Sequence, residues 1–411
     1  MLSTRITKKI ILILIPFLSL IYGFLTQEDL STGGSRIDFI RTFPAVINFS
    51  NLIFNTTAEY TRHFPLHYLL LSIPQLIFNN IFITKFIYFL FSLLLPLFIY
   101  LNISKLYSNQ KFNCFIISVS LLFFPFFRAS SIWPNAHLTA LIFLLLANYF
   151  YIFSLNSKNF SFKFLNIFFL CLSTYSMQSY AVFFIFYLVH YYRNISLNSF
   201  LSILFFCILF SFPGFYIILN TSTGTKLDFT NNFSYTIITN FSIIFFILLF
   251  FLINKNNFFK MKEFFFNINK FEVILLSCFF LLLITTFENF SSSGGGFFYK
   301  LSIFIFHNNF LFYLTSFFGL TAFYLFFKFD KNIFYILLLI NFTAIGIATS
   351  QKYFEPTLIV LIFILNKNFF SKSIITSNFN TLIFYMLSFV YFIFALINNN
   401  FELSKKIVLI D

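Results

Sequence analysis

The run Ile81-Phe82-Ile83-Thr84-Lys85-Phe86-Ile87-Tyr88-Phe89-Leu90-Phe91-Ser92-Leu93-Leu94-Leu95-Pro96-Leu97-Phe98-Ile99-Tyr100-Leu101 is almost unbrokenly apolar. A helix of this length rises about 30 Å, the thickness of a bilayer's hydrocarbon core, and satisfies its own backbone polar groups where no water reaches them. Similar runs recur from one end of the 411-residue chain to the other, which is 59% hydrophobic and only 9% charged. A soluble domain of this length has no use for so much apolar surface. The fold class expected is therefore all-α, a polytopic transmembrane helical bundle of about 11–13 spans, forming one integral membrane domain over residues 1–411.

Working outward, the expected spans are Ile10–Leu25, Ile81–Leu101, Phe112–Phe127, Asn135–Leu155, Phe164–Ser176, Tyr180–His190, Leu197–Leu219, Thr236–Ile253, Phe271–Phe287, Phe304–Phe327, Ile333–Thr349, Pro356–Leu365 and Thr381–Ile397. The first follows Arg5, Lys8 and Lys9, lacks a small-residue cleavage site and runs directly into Gln27, Glu28 and Asp29. It reads as an uncleaved span with its N-terminus inside. Threading the spans alternately places 16 of the 26 Lys and Arg residues on the inner side, as cytoplasmic loops require, and nine of the twelve acids outside. Topology demands no such skew of acids, so the outer face has a use for carboxylates.

Other features are compositional. Phe (77 residues), Ile, Asn and Lys are enriched together, as AT-rich coding sequence dictates, and the Asn-x-Ser/Thr triplets at Asn55, Asn220 and Asn289 follow from the same bias. Cys114, Cys171, Cys207 and Cys278 each sit alone in an apolar run, without metal-ligand spacing. The net charge of +14 is spread through short loops, so membrane topology explains it better than nucleic acid does.

Residues 27–80 form a long extracytoplasmic loop with the densest charge in the chain. Helical spacing at Ile37, Phe39, Ile40, Phe43, Val46 and Ile47, and an apolar segment from Pro65 to Phe78, predict two interfacial helices joined by a polar turn. In Gly33-Gly34-Ser35-Arg36-Ile37-Asp38, Ser35 is the expected helix cap, which sets Asp38 near a helix N-terminus as an ionised general base. Arg36 and Arg41 flank it to bind a phosphate or orient the carboxylate; an ordinary salt-bridged helix start fits the same residues. Glu59, His63, His67 and Tyr68 form a second polar cluster, with the two histidines on one face if helical. They are expected to bond an acceptor sugar; a zinc helix would carry a Glu between them.

Later outer loops contribute Arg128, Lys300, Lys352 and Tyr353, expected to hold a donor phosphate. The glycines Gly294, Gly295 and Gly296 serve equally as an amide cradle or a hinge.

An uncleaved first span, a long outer loop with an acid near its start and a re-entering apolar helix resemble the GT-C superfamily of membrane glycosyltransferases. Within it the chain is most similar to the dolichyl-phosphate-glucose α-1,2-glucosyltransferase family. Asp38-Phe39-Ile40-Arg41-Thr42-Phe43-Pro44 keeps the Asp and Pro of that family's Asp-Glu-Ile-Phe-His-Leu-Pro-like segment, and Pro65-Leu66-His67-Tyr68 keeps a Pro and Tyr at the family's separation. Gln178 resembles the Gln of its Arg-Gln-Thr segment, and Lys352-Tyr353-Phe354-Glu355-Pro356 its Arg-Tyr-Phe-x-x-Pro ending. Phe39 replaces the family's second acid, and Gly295-Gly296-Phe297 its Asn-Arg-His run.

The resemblance implies inverting transfer of a hexose from a polyprenyl-phosphate donor to a lipid-linked or envelope glycan acceptor, with Asp38 as base and Gln178 on the sugar. It implies no cofactor, with a divalent metal left open, and an extracytoplasmic active site; the AT-rich composition and simple loops instead point to a bacterial inner membrane. The bilayer, the donor and the glycan acceptor are the expected partners. A flippase of lipid-linked glycans would show charged or broken helices at the bilayer midplane and repeated halves. An O-antigen-type polymerase would place an Arg-rich loop later in the chain.

Overall fold

A computed structural model describes residues 2–31, 34–49, 63–157, 159–220, 233–287, 296–329, 338, 351–364 and 369–408. All regular structure among them is helical. The chain divides into two compact units, one of residues 1–226 with 381–411, the other of residues 227–380.

The first unit holds α1 (Leu2–Leu25), α2 (Gly34–Ile47), α3 (Leu66–Phe78), α4 (Ile81–Ser92), α5 (Leu94–Leu106), α6 (Lys111–Ser120), α7 (Pro125–Ile132), α8 (Ala136–Asn156), α9 (Phe160–Ser176), α10 (Phe183–Asn194) and α11 (Leu197–Asn220). The second holds α12 (Phe233–Leu252), α13 (Lys255–Phe266), α14 (Lys270–Thr285), α15 (Gly296–Phe306), α16 (Phe310–Phe329), α17 (Gln351–Ile364) and α18 (Phe369–Ile375). Helix α19 (Asn378–Val408) ends the described chain, its length from Thr381 onward belonging to the first unit.

Asparagine, abundant here through composition, marks where many of these helices start. Asn80, Asn135, Asn159, Asn254 and Asn269 each accept a hydrogen bond from a first-turn backbone N–H, at 2.8–3.3 Å, capping α4, α8, α9, α13 and α14. Inside a membrane such side-chain caps satisfy groups that water cannot.

Among the described residues, five helices are long and apolar enough to cross a bilayer: Ile81–Leu106, Ala136–Leu155, Leu197–Ile217, Phe233–Leu252 and Asn378–Asn399. Two bent pairs, Ser108–Phe123 with Pro125–Ile132 at 66° and Lys255–Phe266 with Lys270–Thr285 at 94°, raise the number to seven. Several expected spans are interrupted for local reasons. Phe112–Phe127 breaks at Phe124, which is extended because the residue before a proline avoids helical backbone. Phe304–Phe327 breaks at His307, whose φ of 54° ends α15 in the left-handed region. Tyr180–His190 begins as a 3₁₀ turn over Gln178–Val182 before α10. Ile333–Thr349, apart from residue 338, lies outside the described residues.

The middle of the first unit is fastened by a ladder of buried amides and phenols. Asn102 donates to the Leu145 carbonyl (3.0 Å), Asn148 to Asn102 Oδ1 (3.0 Å) and Tyr187 to Asn148 Oδ1 (3.1 Å). Asn166 donates to the Ala147 carbonyl (2.8 Å) and accepts from Tyr191 (3.1 Å), so α5, α8, α9 and α10 are cross-linked. Between membrane helices, where hydrocarbon removes the hydrophobic driving force, each such bond contributes about 0.6–2 kcal/mol.

The second unit is built around α12, whose most apolar window is 83% buried. It crosses α16 so closely that a Cβ placed on Gly319 would stand 1.8 Å from the Phe241 carbonyl oxygen. Only glycine fits at that crossing.

Candidate functional site

The corner between α1 and α2 collects most of the first loop's charge. Helix α1 ends with Gln27 at φ 54°, and Glu28 N–H reaches back to the Gly23 carbonyl at 2.8 Å, closing the turn. A left-handed backbone costs a non-glycine residue roughly 1–2 kcal/mol. Two bonds offset it: Gln27 Nε2 donates to the Phe24 carbonyl (2.8 Å), and Gln27 Oε1 accepts from Lys85 Nζ.

The turn aims the next two acids in different directions. Glu28 receives Arg128 in a bidentate pair, Nε to Oε1 at 2.7 Å and Nη2 to Oε2 at 2.9 Å. Arg128 also donates to the Ser19 hydroxyl (3.0 Å) and carbonyl (2.8 Å), and its guanidinium carbon lies 4.2 Å from the Phe392 ring centroid. With 0% exposure it is a structural lock. Gly23 makes room for it, since a Cβ there would meet Arg128 Nη2 at 2.7 Å. The phosphate-binding role expected of Arg128 therefore gives way: its donors are turned inward, onto a carboxylate.

Asp29 faces the start of α2. Its Oδ2 accepts from Arg36 N–H (2.8 Å) and its Oδ1 from Ser31 N–H (2.9 Å), while the Ser31 hydroxyl oxygen accepts from Ser35 N–H (2.6 Å). The cap expected at Ser35 is thus supplied by Asp29 and Ser31, whose oxygens reach the helix's opening N–H groups first. Ser35 is itself buried, with no hydrogen bond to its hydroxyl.

Capping fixes the rotation of α2. Ser35, Phe39 and Val46 turn inward, Arg36 and Arg41 are exposed, and Asp38 is half-buried in the second turn. Arg41, three residues on from Asp38, shares its side of the helix; Arg36 lies round the other flank. There its guanidinium carbon stands 5.5 Å from the Trp133 ring centroid, and Lys85 Nζ stands 3.3 Å from the same centroid. Trp133 is tied down by its indole N–H donating to the Glu28 carbonyl at 3.0 Å. Among the described residues, with Glu28 and Arg128 matched, three cations (Arg36, Arg41, Lys85) stand with two carboxylates (Asp29, Asp38) on these elements.

Lys85 is the member that the sequence-based expectations lacked. It is 4% exposed in a membrane-length apolar helix, where an ionisable residue needs a partner and marks a candidate site. That lone charge within Ile81–Leu101 was the available signal.

The second cluster is rearranged. Helix α3 begins at Leu66, so His63 precedes it and the two histidines do not share a helix face. His67 and Tyr68 are each 2% exposed. His67 Nδ1 pairs with Thr139 Oγ1 at 2.8 Å, Thr139 with the Tyr88 hydroxyl at 3.1 Å, and Tyr88 donates to the Asn135 carbonyl at 2.9 Å. Burial, reinforced by the charge of His63, pushes the His67 pKa down to about 3, so the ring is neutral at physiological pH. Next along, the Tyr180 hydroxyl approaches His137 Nδ1 at 3.3 Å, with half-buried Gln178 opening the same turn.

Glu59 lies outside the described residues. Lys300 is half-buried on α15 of the second unit; Lys352 and Tyr353 belong to α17 of that unit, their side chains outside what is described. Gly296, at φ 74°, starts α15 beside Gln351, whose Oε1 accepts from Phe297 N–H at 2.9 Å; Gly294 and Gly295 lie outside the described residues. Among the described residues no three His, Cys, Asp or Glu side chains converge on a metal-sized site. Comparison with protein-family models, with curated proteins and with solved structures finds no match to this chain.

Proposed function

We propose that this chain is a membrane glycosyltransferase of the GT-C type, moving a hexose from a polyprenyl-phosphate donor to a lipid-linked or envelope glycan on the extracytoplasmic side. The shorter apolar helices complete a bundle of about 11–13 crossings on this reading, and α2 and α3 lie in the interface. One observation supports it: the corner that locks α2 directly after α1 holds Asp38 half-buried on a helix that also carries the exposed cations Arg36 and Arg41.

In this mechanism Asp38 accepts the proton of an acceptor hydroxyl as its oxygen bonds to the anomeric carbon. The bond from that carbon to the phosphate oxygen breaks on the opposite face, inverting the centre, and polyprenyl phosphate leaves with the electron pair. Arg36 and Arg41 are the exposed cations for that phosphate, and Lys85 adds positive potential from behind Trp133. Charge stabilisation of this kind contributes about 3–4 kcal/mol per donor group.

The test offers purified protein radiolabelled polyprenyl-phosphate sugars and follows label leaving the lipid. Asp38→Asn is expected to abolish transfer at unchanged protein abundance. Unchanged transfer in that variant overturns the assignment, and label that crosses vesicles without leaving its lipid identifies a flippase.

A further inference from the structure

Away from the charged corner, the first unit contains a cavity of about 310 Å³. Leu66 and Leu69 of α3, Leu172 and Tyr175 of α9, and Pro213 and Tyr216 of α11 form its walls. Its size falls at the low end of small-ligand pockets, about 300–1,000 Å³. That is room for part of a chain.

The cavity depends on an opened stretch of α11. Pro213 has no N–H, so one rung of the helix is missing. At the next rung the Tyr175 hydroxyl has entered the ladder: it donates to the Phe210 carbonyl and accepts from Gly214 N–H at 3.0 Å. These are the two groups that would otherwise bond each other. Insertion of a side chain into the i→i−4 ladder is a recognised cause of helix bending, and it leaves the Tyr175 ring as a wall.

The medium at its mouth follows from α11. This helix is long and apolar enough to span, yet only 17% of its apolar window is buried, against 83% for α12. Pro213 and Tyr216, two of the wall residues, are among its exposed positions. Where α11 crosses a bilayer, the cavity therefore opens toward hydrocarbon.

We propose that the cavity holds a stretch of an acyl chain of a bilayer phospholipid, seated as a resident lipid between α3, α9 and α11. The occupant is a phospholipid because acyl chains are the bulk component at such a surface and the walls offer no cation to select a phosphate. The proposal stands whether or not the chain transfers sugars.

The full chain is reconstituted in phosphatidylethanolamine and phosphatidylglycerol vesicles doped with a phospholipid carrying a diazirine within the upper part of its acyl chain, irradiated, digested and mapped by mass spectrometry. Adducts are expected to concentrate on Leu69 and Leu172 over Ile208 and Phe215, which lie on the opposite face of α11. Leu172→Trp is expected to reduce labelling at Leu69 about tenfold, and Leu69→Trp that at Leu172, with Ile208 and Phe215 labelled as before. Constant labelling there shows the variants remain folded in the bilayer. Equal labelling on both faces, labelling that survives both tryptophans, or labelling of the walls by a diazirine polyprenyl phosphate alone overturns the proposal.

Discussion

At the α1–α2 corner a guanidinium without exposed surface is matched by one carboxylate; where α12 crosses α16, two backbones meet at Gly319 with a long Ser242–Thr315 hydroxyl pair, 3.4 Å, beside them. The first contact is directional and fails when either partner goes. The second is steric and fails when anything is added. A membrane helix bundle can use both, because hydrocarbon makes an unpaired polar group costly and rewards close backbone approach.

The sharpest way to break the comparison is to remove one half of the lock. Arg128→Ala leaves Glu28 buried without its partner and is expected to destabilise by about 3–5 kcal/mol, read as thermal unfolding in detergent. The double variant Arg128→Met with Glu28→Leu is expected to regain most of that loss, since apolar replacement of a whole buried pair is often neutral. Failure of the double variant to recover would show that the corner's fold itself requires the charges. At the other region, Gly319→Ala forces α16 off α12 and is expected to cost about 1–3 kcal/mol. A smaller loss than that would mean the crossing relaxes easily.

The amide ladder lies between these extremes. Asn148→Ala removes one donor and one acceptor from a run that spans α5, α8 and α10, and about 0.6–2 kcal/mol is expected. A larger loss would place the ladder with the Arg128 lock as a cooperative network.

These contrasts explain what could be read from the chain. The all-helical, membrane-spanning character was legible because hydropathy is a local property of each run. The breaks at Phe124 and His307 were less so, since Pro125 gave a cue and His307 gave none. The role of Arg128 was hidden because its partner is 100 residues away, and neither residue says which partner a buried cation will take. The His63–His67 spacing misled for a readable reason: Pro65 stands between them, immediately before the first residue of α3. Lys85 was legible as a lone charge in an apolar run, but its pairing with Gln27 depends on a left-handed residue 58 positions away.

A dependence on pH separates His67 from these other contacts. Its folded pKa, about 3, lies far below the unfolded value near 6.5, so between the two the unfolded chain binds a proton that the folded one refuses. Stability is then fully present above about pH 6.5 and is lost as the pH falls toward 3, by at most about 1.4 kcal/mol per pH unit for one proton. Thermal unfolding in detergent at pH 7.5, 6.5 and 5.5 should show little change over the first step and a loss of about 1 kcal/mol over the second, and His67→Gln, which keeps a hydrogen-bonding partner for Thr139 but cannot titrate, should flatten it. A variant that declines as steeply as the parent would assign the proton to a group other than His67. The neutral, hydrogen-bonded ring would then have to be read from geometry alone.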